Sequence, residues 1–357
     1  MATNDMEPAG RRPRAGSRGP TVSDVARLAG VSPMTVSRVI NSEPNVLPPT
    51  RDKVLTAIAT LGYVPNPAAR SLAGGQQCRI ALLHANPSAA YLSEFLMGSL
   101  AQASLVDLQL VVEHCDLSDA PQALVRRLSA HRVDAVLVPP PLCDDAELLA
   151  ALLAAGLPMA QIATGRPVAF AHAVTIDDER AAYAMTAHLI ALGHRRIGFI
   201  AGAVDQTASA ARRAGYDRAL AEAKIPADPD LAVQGDFTYR SGLSAAETLL
   251  ALVQRPTAIF ASNDDMAAAA VAVAHRHQLD VPADLSVCGF DDTAMSTTIW
   301  PEITTIHQPI ADMARQATAL LTETVRGRPA AGDPDVQHVR LDFEVICRAS
   351  DGPPRAA

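Results

Sequence analysis

A chain of 357 residues is long enough for a small module plus a body of roughly 280 residues with a substantial core, so two or three folding units are expected. Its 49% hydrophobic and 19% charged residues exclude a disordered composition, and the lack of an apolar run near 20 residues excludes a membrane-spanning helix. The net charge of -8 speaks against nucleic acid until it is divided: residues 1–74 carry nine Arg or Lys against five Asp or Glu, a surplus of +4, and the remainder stands at -12. A basic head lets a local patch approach phosphate, while an acidic body resists indiscriminate wrapping.

Residues 1–20 read as a flexible tail, with Arg11, Arg12, Arg14 and Arg18 among Pro and Gly. The tail lacks the apolar segment of a secretory signal, so a cytoplasmic location is expected. Three short helices follow over 21–63. Thr21 with Asp24 makes a variant capping box, and Val22, Val25, Ala26 and Ala29 form one apolar face. Gly30 and Val31 break the chain. Ser32 caps the second helix and Pro33 fits its first turn; Val36, Val39 and Ile40 point inward, which leaves Met34, Thr35, Ser37 and Arg38 available elsewhere. A third helix runs from about Pro49 to Leu61, with Val54, Ile58 and Leu61 inward and Gly62 as its stop. In residues 64–75, VPNPAARSLAGG, Asn66 caps a two-turn helix that Gly74 and Gly75 end. Such a helix is too short to be stable alone and folds conditionally.

From residue 79 apolar strands alternate with helices. Strands are expected at 79–84, 108–115, 134–139, 158–162, 196–201, 257–262 and 285–290. Helices are expected near 93–104, 144–155, 178–192, 209–224, 240–252 and 264–278. The alternation implies parallel sheets covered on both faces, and the length favours two sheets over one. The five cysteines, at 78, 115, 143, 288 and 347, form no CxxC pair and read as buried reduced thiols, without a metal site or cofactor.

The stretch TVSDVARLAGVSPMTVSRVINSEPNV, followed by TRDKV and LGYVPNPAARSLAG, resembles the DNA-binding head and hinge of the lactose-repressor/galactose-repressor family of bacterial regulators. The resemblance implies an all-α helix-turn-helix head and a hinge helix, joined to an α/β body of two parallel-sheet, periplasmic-binding-protein-like lobes. It places Pro33 to Ile40 in the major groove, with Pro33, Met34, Thr35, Ser37 and Arg38 at base or backbone contacts. Arg38 has the chemistry for a bidentate guanine contact. Thr21, Ser32, Asn41 and Tyr63 complete the head's contact set. In the hinge, Asn66 and Arg70 fall near phosphate, Ala69 permits close approach, and Leu72 matches a leucine that wedges into the minor groove. By residue type alone, Leu72 packing against the body is an equal alternative. Leu47 stands where many relatives have a capping Ser, ahead of Pro48 and Pro49.

The body is similar to the same family over roughly 79–348, most clearly in GHRRIGFIAG, ARRAGYDRAL, PTAIFASNDDMAAAA and VPADLSVCGFDDTAMSTTIWPEITTIHQP. The likeness implies three chain crossings between lobes, near 174, 305 and 328. It also implies a small-molecule effector, a sugar, held by Arg212, Phe237, Asn263 and Asp291. The first-lobe lip, HANPSAAYLSEF, departs from common relatives, and Tyr91 and Phe95 are its aromatic candidates. Residue chemistry alone favours the plainer readings, Asn263 as a helix cap and Phe237 as core. The domains expected are a tail to residue 20, the head at 21–63, the hinge at 64–75, an effector-binding and dimerisation body at 76–349, and a flexible tail at 350–357.

Function classes can then be weighed. No HExxH, GxSxG, nucleotide fingerprint or phosphate loop is present, so an enzyme is not expected. A plain sugar binder leaves the head without a purpose, and an architectural DNA binder leaves the body without one. The reading that absorbs both is a ligand-responsive repressor, binding a near-palindromic double-stranded operator as a homodimer, away from membranes, and released by a sugar. A corepressor-dependent regulator answering a non-sugar metabolite stays open as the alternative.

Overall fold

The computed structural model describes residues 20–40, 46–63, 78–106, 108–116, 118–327 and 336–355. The chain divides into two compact units, Met1–Gln76 and Gln77–Ala357.

The first unit holds α1 (Val22–Ala29), α2 (Pro33–Ile40) and α3 (Pro48–Leu61). At the start of α1 the Asp24 carboxylate accepts from the Thr21 amide at 2.9 Å and from its hydroxyl at 2.7 Å. Gly30 ends the helix at φ 67°, a left-handed turn that glycine adopts without strain. Ser32 Oγ accepts from the Thr35 amide at 3.2 Å and so caps α2. Leu47 precedes α3 with no side-chain cap. The core is Val25, Ala26, Val36, Val39, Val54, Ala57 and Tyr63. Ala57 takes the central place expected of Ile58 and Leu61, which are half-buried.

The second unit contains two parallel sheets. The first lobe is built from β1 (Cys78–His84), α4 (Ala89–Leu105), β2 (Leu108–His114), α5 (Pro121–Ala130), β3 (Ala135–Val138), α6 (Ala146–Ala154), β4 (Met159–Ile162) and β5 (His172–Thr175). The second follows with α7 (Asp178–Ala191), β6 (Ile197–Ala201), α8 (Thr207–Glu222), β7 (Ala232–Gln234), α9 (Tyr239–Leu250), β8 (Ala258–Ala261), α10 (Asp264–Arg276), β9 (Ser286–Cys288), α11 (Met295–Thr298) and β10 (Thr305–His307). The chain then returns through α12 (Ile310–Gly327) and β11 (His338–Arg340) to the first sheet, and ends with β12 (Glu344–Ile346) against β10. The sheet orders are β11-β5-β4-β3-β1-β2 and β7-β6-β8-β9. Strands such as AVLV at 135–138 and AIFA at 258–261 are buried at every position, as parallel strands covered on both faces require.

The elements α5, α12, β5, β7, β10 and β11 were not among those expected. The third crossing is also displaced: β11 still pairs with β5, His338 opposite Ala173, so the chain leaves the first lobe after Arg340 rather than near 328. The expected flexible tail from 350 is instead attached as far as Arg355. Ser350 exchanges hydrogen bonds with Val287, Asp351 accepts from Thr304 Oγ1 and pairs with His188 at 2.6 Å, and the Gly352 carbonyl meets His194 at 2.8 Å. All five thiols are free; Cys347, just past the end of β12, is exposed, and the other four are buried.

Candidate effector cleft and DNA-reading face

In α2 the residues that do not build the core are turned outward. Val36 and Val39 are buried, whereas Pro33, Met34 and Arg38 are exposed, Met34 by 66%, and Thr35 and Ser37 lie at the edge. Thr21 and Ser32 are exposed, each engaged in a helix start. Tyr63 departs from the expected set. Its side chain closes the head's core and is 7% exposed, because the left-handed turn at Gly62 folds it back under α3. Asn41, Asn66, Ala69, Arg70 and Leu72 lie outside the described residues.

In the body, one cleft of about 380 Å³, open mouth included, collects residues that follow the carboxyl ends of strands in both sheets. Asn86, Ser88 and Tyr91 come after β1, Pro140 after β3 and Ala163 after β4. Gln206, Ala208 and Arg212 follow β6, and Phe237, Asn263, Asp291 and Gln308 follow β7 to β10. Five of the six expected residues therefore converge here. Phe95 does not: it stands one helical turn beyond Tyr91 on the inward face of α4 and is 1% exposed in the first lobe's core. Asn86, Ser88, Gln206 and Gln308 were missed; Asn86 and Ser88 lie just past the expected first strand, and that position was the available signal, whereas Gln206 and Gln308 carry none.

Arg212 organises the floor. Its Nε donates to Asp178 at 2.8 Å, Nη1 to the Ser262 carbonyl at 2.5 Å and Nη2 to Gln308 Oε1 at 3.4 Å. The guanidinium lies 3.6 Å over the Phe290 ring. Burial pushes the Asp178 carboxyl upward, against the pull of Arg212. Asp291 approaches Nη1 at 3.7 Å. Burial drives its carboxyl well above the ordinary value, and repulsion from Asp264, Asp265 and Asp178 adds to the shift. Asp291 stands at φ 108° and Phe237 at φ 69°, conformations that cost of order 1–3 kcal/mol and cluster at binding sites. Gly202 makes Phe237's placement feasible, since a Cβ there would fall 2.0 Å from the ring.

Other polar side chains near the cleft have structural work. Asn263 caps α10 through the Met266 amide at 2.9 Å and tethers the Phe237 carbonyl at 2.9 Å, so it combines a cap with a place in the lining. Asp264 accepts from Thr293 and Thr305, and Asp292 pairs with Arg348 at 2.5 Å and His307 at 3.0 Å. Hydrogen bonds tie the lobes across the cleft. Ser88 Oγ donates to Asp265 at 2.5 Å, and Asp144 accepts from the amide and hydroxyl of Thr207, each at 2.8 Å.

Residues 21–66 match the model for bacterial regulatory proteins of the lacI family, and residues 186–350 match a periplasmic binding protein-like domain. Catabolite control protein A of Priestia megaterium is 35% identical over 85% of this chain and 92% of its own. The chain belongs to the LacI family. This LacI-family chain is also 32% identical to the HTH-type transcriptional repressor PurR of Vibrio atlanticus, over 91% and 95% of the two lengths. Among solved structures it is similar to a transcriptional regulator CelR in complex with cellobiose, with TM-score 0.70, 33% identity, and 93% and 99% coverage. It also resembles a lac repressor dimer bound to operator and an anti-inducer, with TM-score 0.74, 29% identity and the same coverage. The protein is a ligand-responsive, DNA-binding transcriptional regulator. No helix among the described residues is long and apolar enough to cross a membrane.

Proposed function

We propose that the protein is a repressor that binds a near-palindromic operator as a homodimer and is released when a sugar occupies the cleft. The observation that carries this reading is the presence on one chain of an outward-facing α2 and of a pocket with buried polar groups left unsatisfied within the protein: Tyr91 Oη, Asp291 Oδ1 and Gln308 Nε2. Tyr91 and Phe237 supply aromatic surface, and Arg212, Gln308 and Asp291 supply a mixed set of donors and acceptors, a combination suited to a polyol. One similar regulator is solved with cellobiose. In the head, Arg38 carries sequence reading by a guanine contact, helped by Met34, Thr35 and Ser37. Asn66, Arg70 and Leu72 of the hinge act at phosphate and in the minor groove. For dimerisation, Met97, Leu100 and Leu105 on α4 and Val112 on edge strand β2 offer exposed apolar area to a second copy.

Release requires that the ligand distinguish two arrangements of the lobes. The Ser88–Asp265 and Asp144–Thr207 bonds are contacts that such a rearrangement would make or break. The test is fluorescence anisotropy of the full chain on an operator selected from random duplex DNA. A sugar that lowers operator affinity supports the reading, and a ligand that raises it supports corepressor action instead.

A further inference from the structure

We infer that Met34 reads a thymine through its 5-methyl group, so that the first turn of α2 recognises the operator by apolar contact. This deepens the operator reading above and rests on it. In a helix-turn-helix the opening residues of the second helix meet base edges in the major groove. The opening of α2 is Ser32, Pro33 and Met34, all exposed, while Val36 and Val39 hold the helix to the head's core. The hydroxyls here are engaged in starting the helix: Ser32 Oγ accepts from the Thr35 amide at 3.2 Å and shares a hydrogen bond with Thr35 Oγ1 at 2.9 Å. Pro33 has no amide proton to offer, and a thioether is only a weak acceptor. What this turn presents outward is therefore apolar, and Met34, at 66% exposure, is its largest outward side chain.

The chemistry of the major groove decides what such a side chain can read. Guanine, adenine and cytosine show it donors and acceptors alone, whereas thymine adds a methyl group beside its O4 acceptor. Over a guanine, adenine or cytosine edge, Met34 strips water from polar groups and returns no hydrogen bond, which is costly. Over thymine it covers the methyl, and two apolar surfaces leave water together. An unbranched chain with three rotatable bonds and a polarisable sulfur adapts to that methyl without moving the helix. Arg38 stands in the last turn of α2 and supplies the hydrogen-bonded reading there. Each half-site is thus divided between a thymine methyl near the start of α2 and a guanine near its end.

The test uses the full chain and an operator selected from random duplex DNA, with binding read by fluorescence anisotropy at one salt concentration. Each thymine is replaced in turn, in both half-sites together, by deoxyuridine, which lacks the methyl and keeps every hydrogen-bonding group. One thymine per half-site is expected to be sensitive, the paired change weakening binding about 15-fold, or about fourfold for each methyl withdrawn from contact. Met34→Ala should melt as the wild type does, because the side chain is exposed, and should bind the thymine and uracil operators within about twofold of each other. Met34→Leu keeps an apolar tip and should keep the uracil penalty. Binding by the wild type that stays within about twofold at every uracil substitution overturns the inference, as does a uracil penalty that Met34→Ala leaves unchanged. Either result leaves the repressor reading intact, whereas a selection that returns no operator contradicts both.

Discussion

The head and the body face their partners in opposite ways. In the head, the groups assigned to DNA stand on one exposed helix, and a core of seven side chains is enough to present them. In the body, ligand groups arrive from eight separate strand ends, seven in the two parallel sheets and one at β10, and several are themselves buried, charged or held at positive φ. A phosphate lattice can be met by a protruding surface, whereas a small neutral ligand has to be surrounded. Substitutions should therefore be local in the head and coupled in the body.

The largest expected effect sharpens the division within α4. Phe95→Ala should cost the body about 3–5 kcal/mol by leaving a cavity in the first lobe. Tyr91→Phe, one turn away, removes only a hydroxyl that no protein group uses and should leave the denaturation midpoint unchanged, and equal losses for the two would contradict this. In the head, Arg38→Ala should reduce discrimination between operator and scrambled duplex by about 1–3 kcal/mol. Affinities measured on both duplexes at one salt concentration check this.

The strongest pH effect should fall in the body. Burial raises the Asp264 pKa from 3.8 to about 7, although Thr305 and Thr293 donate to it. The folded protein thus keeps a proton that the unfolded chain loses, so this group's stabilisation is complete below about pH 4 and is lost as pH rises to about 7. Asp264→Asn should flatten that fall in urea midpoints between those limits, and parallel curves for wild type and variant would count against it. The smallest effect is at the start of α1, where Thr21→Ala should cost the head about 1 kcal/mol, read from its thermal midpoint.

The same contrast explains what the sequence disclosed. Caps, apolar spacing and stop glycines put α1 to α3 within a residue or two of their observed bounds, because those signals are local. The strand-helix alternation likewise implied two parallel sheets. The segments HAVT at 172–175 and HVR at 338–340 are too short to show a period, and pair only because distant strands present an edge. Helix α12 begins directly after Pro309, so the expected crossing near 305 obscured its start. In the cleft, Arg212, Phe237, Asn263 and Asp291 were found through family motifs, whereas Gln206 and Gln308 carry no spacing signal. Phe95 and Tyr91 share one face of α4 and both are buried, and only the packed lobe shows that Tyr91 also borders the cleft.

The central claim is that reading DNA and sensing ligand are separate tasks joined by a conformational change. The most direct test measures operator affinity and sugar affinity on the same full-length wild-type, Arg38→Ala and Asp291→Asn proteins. Arg38→Ala should lose operator discrimination with the sugar affinity of the DNA-free protein unchanged; Asp291→Asn should bind operator normally without sugar but need at least tenfold more sugar for release. If either substitution alters both intrinsic affinities alike, the two tasks are not separate and the account is contradicted.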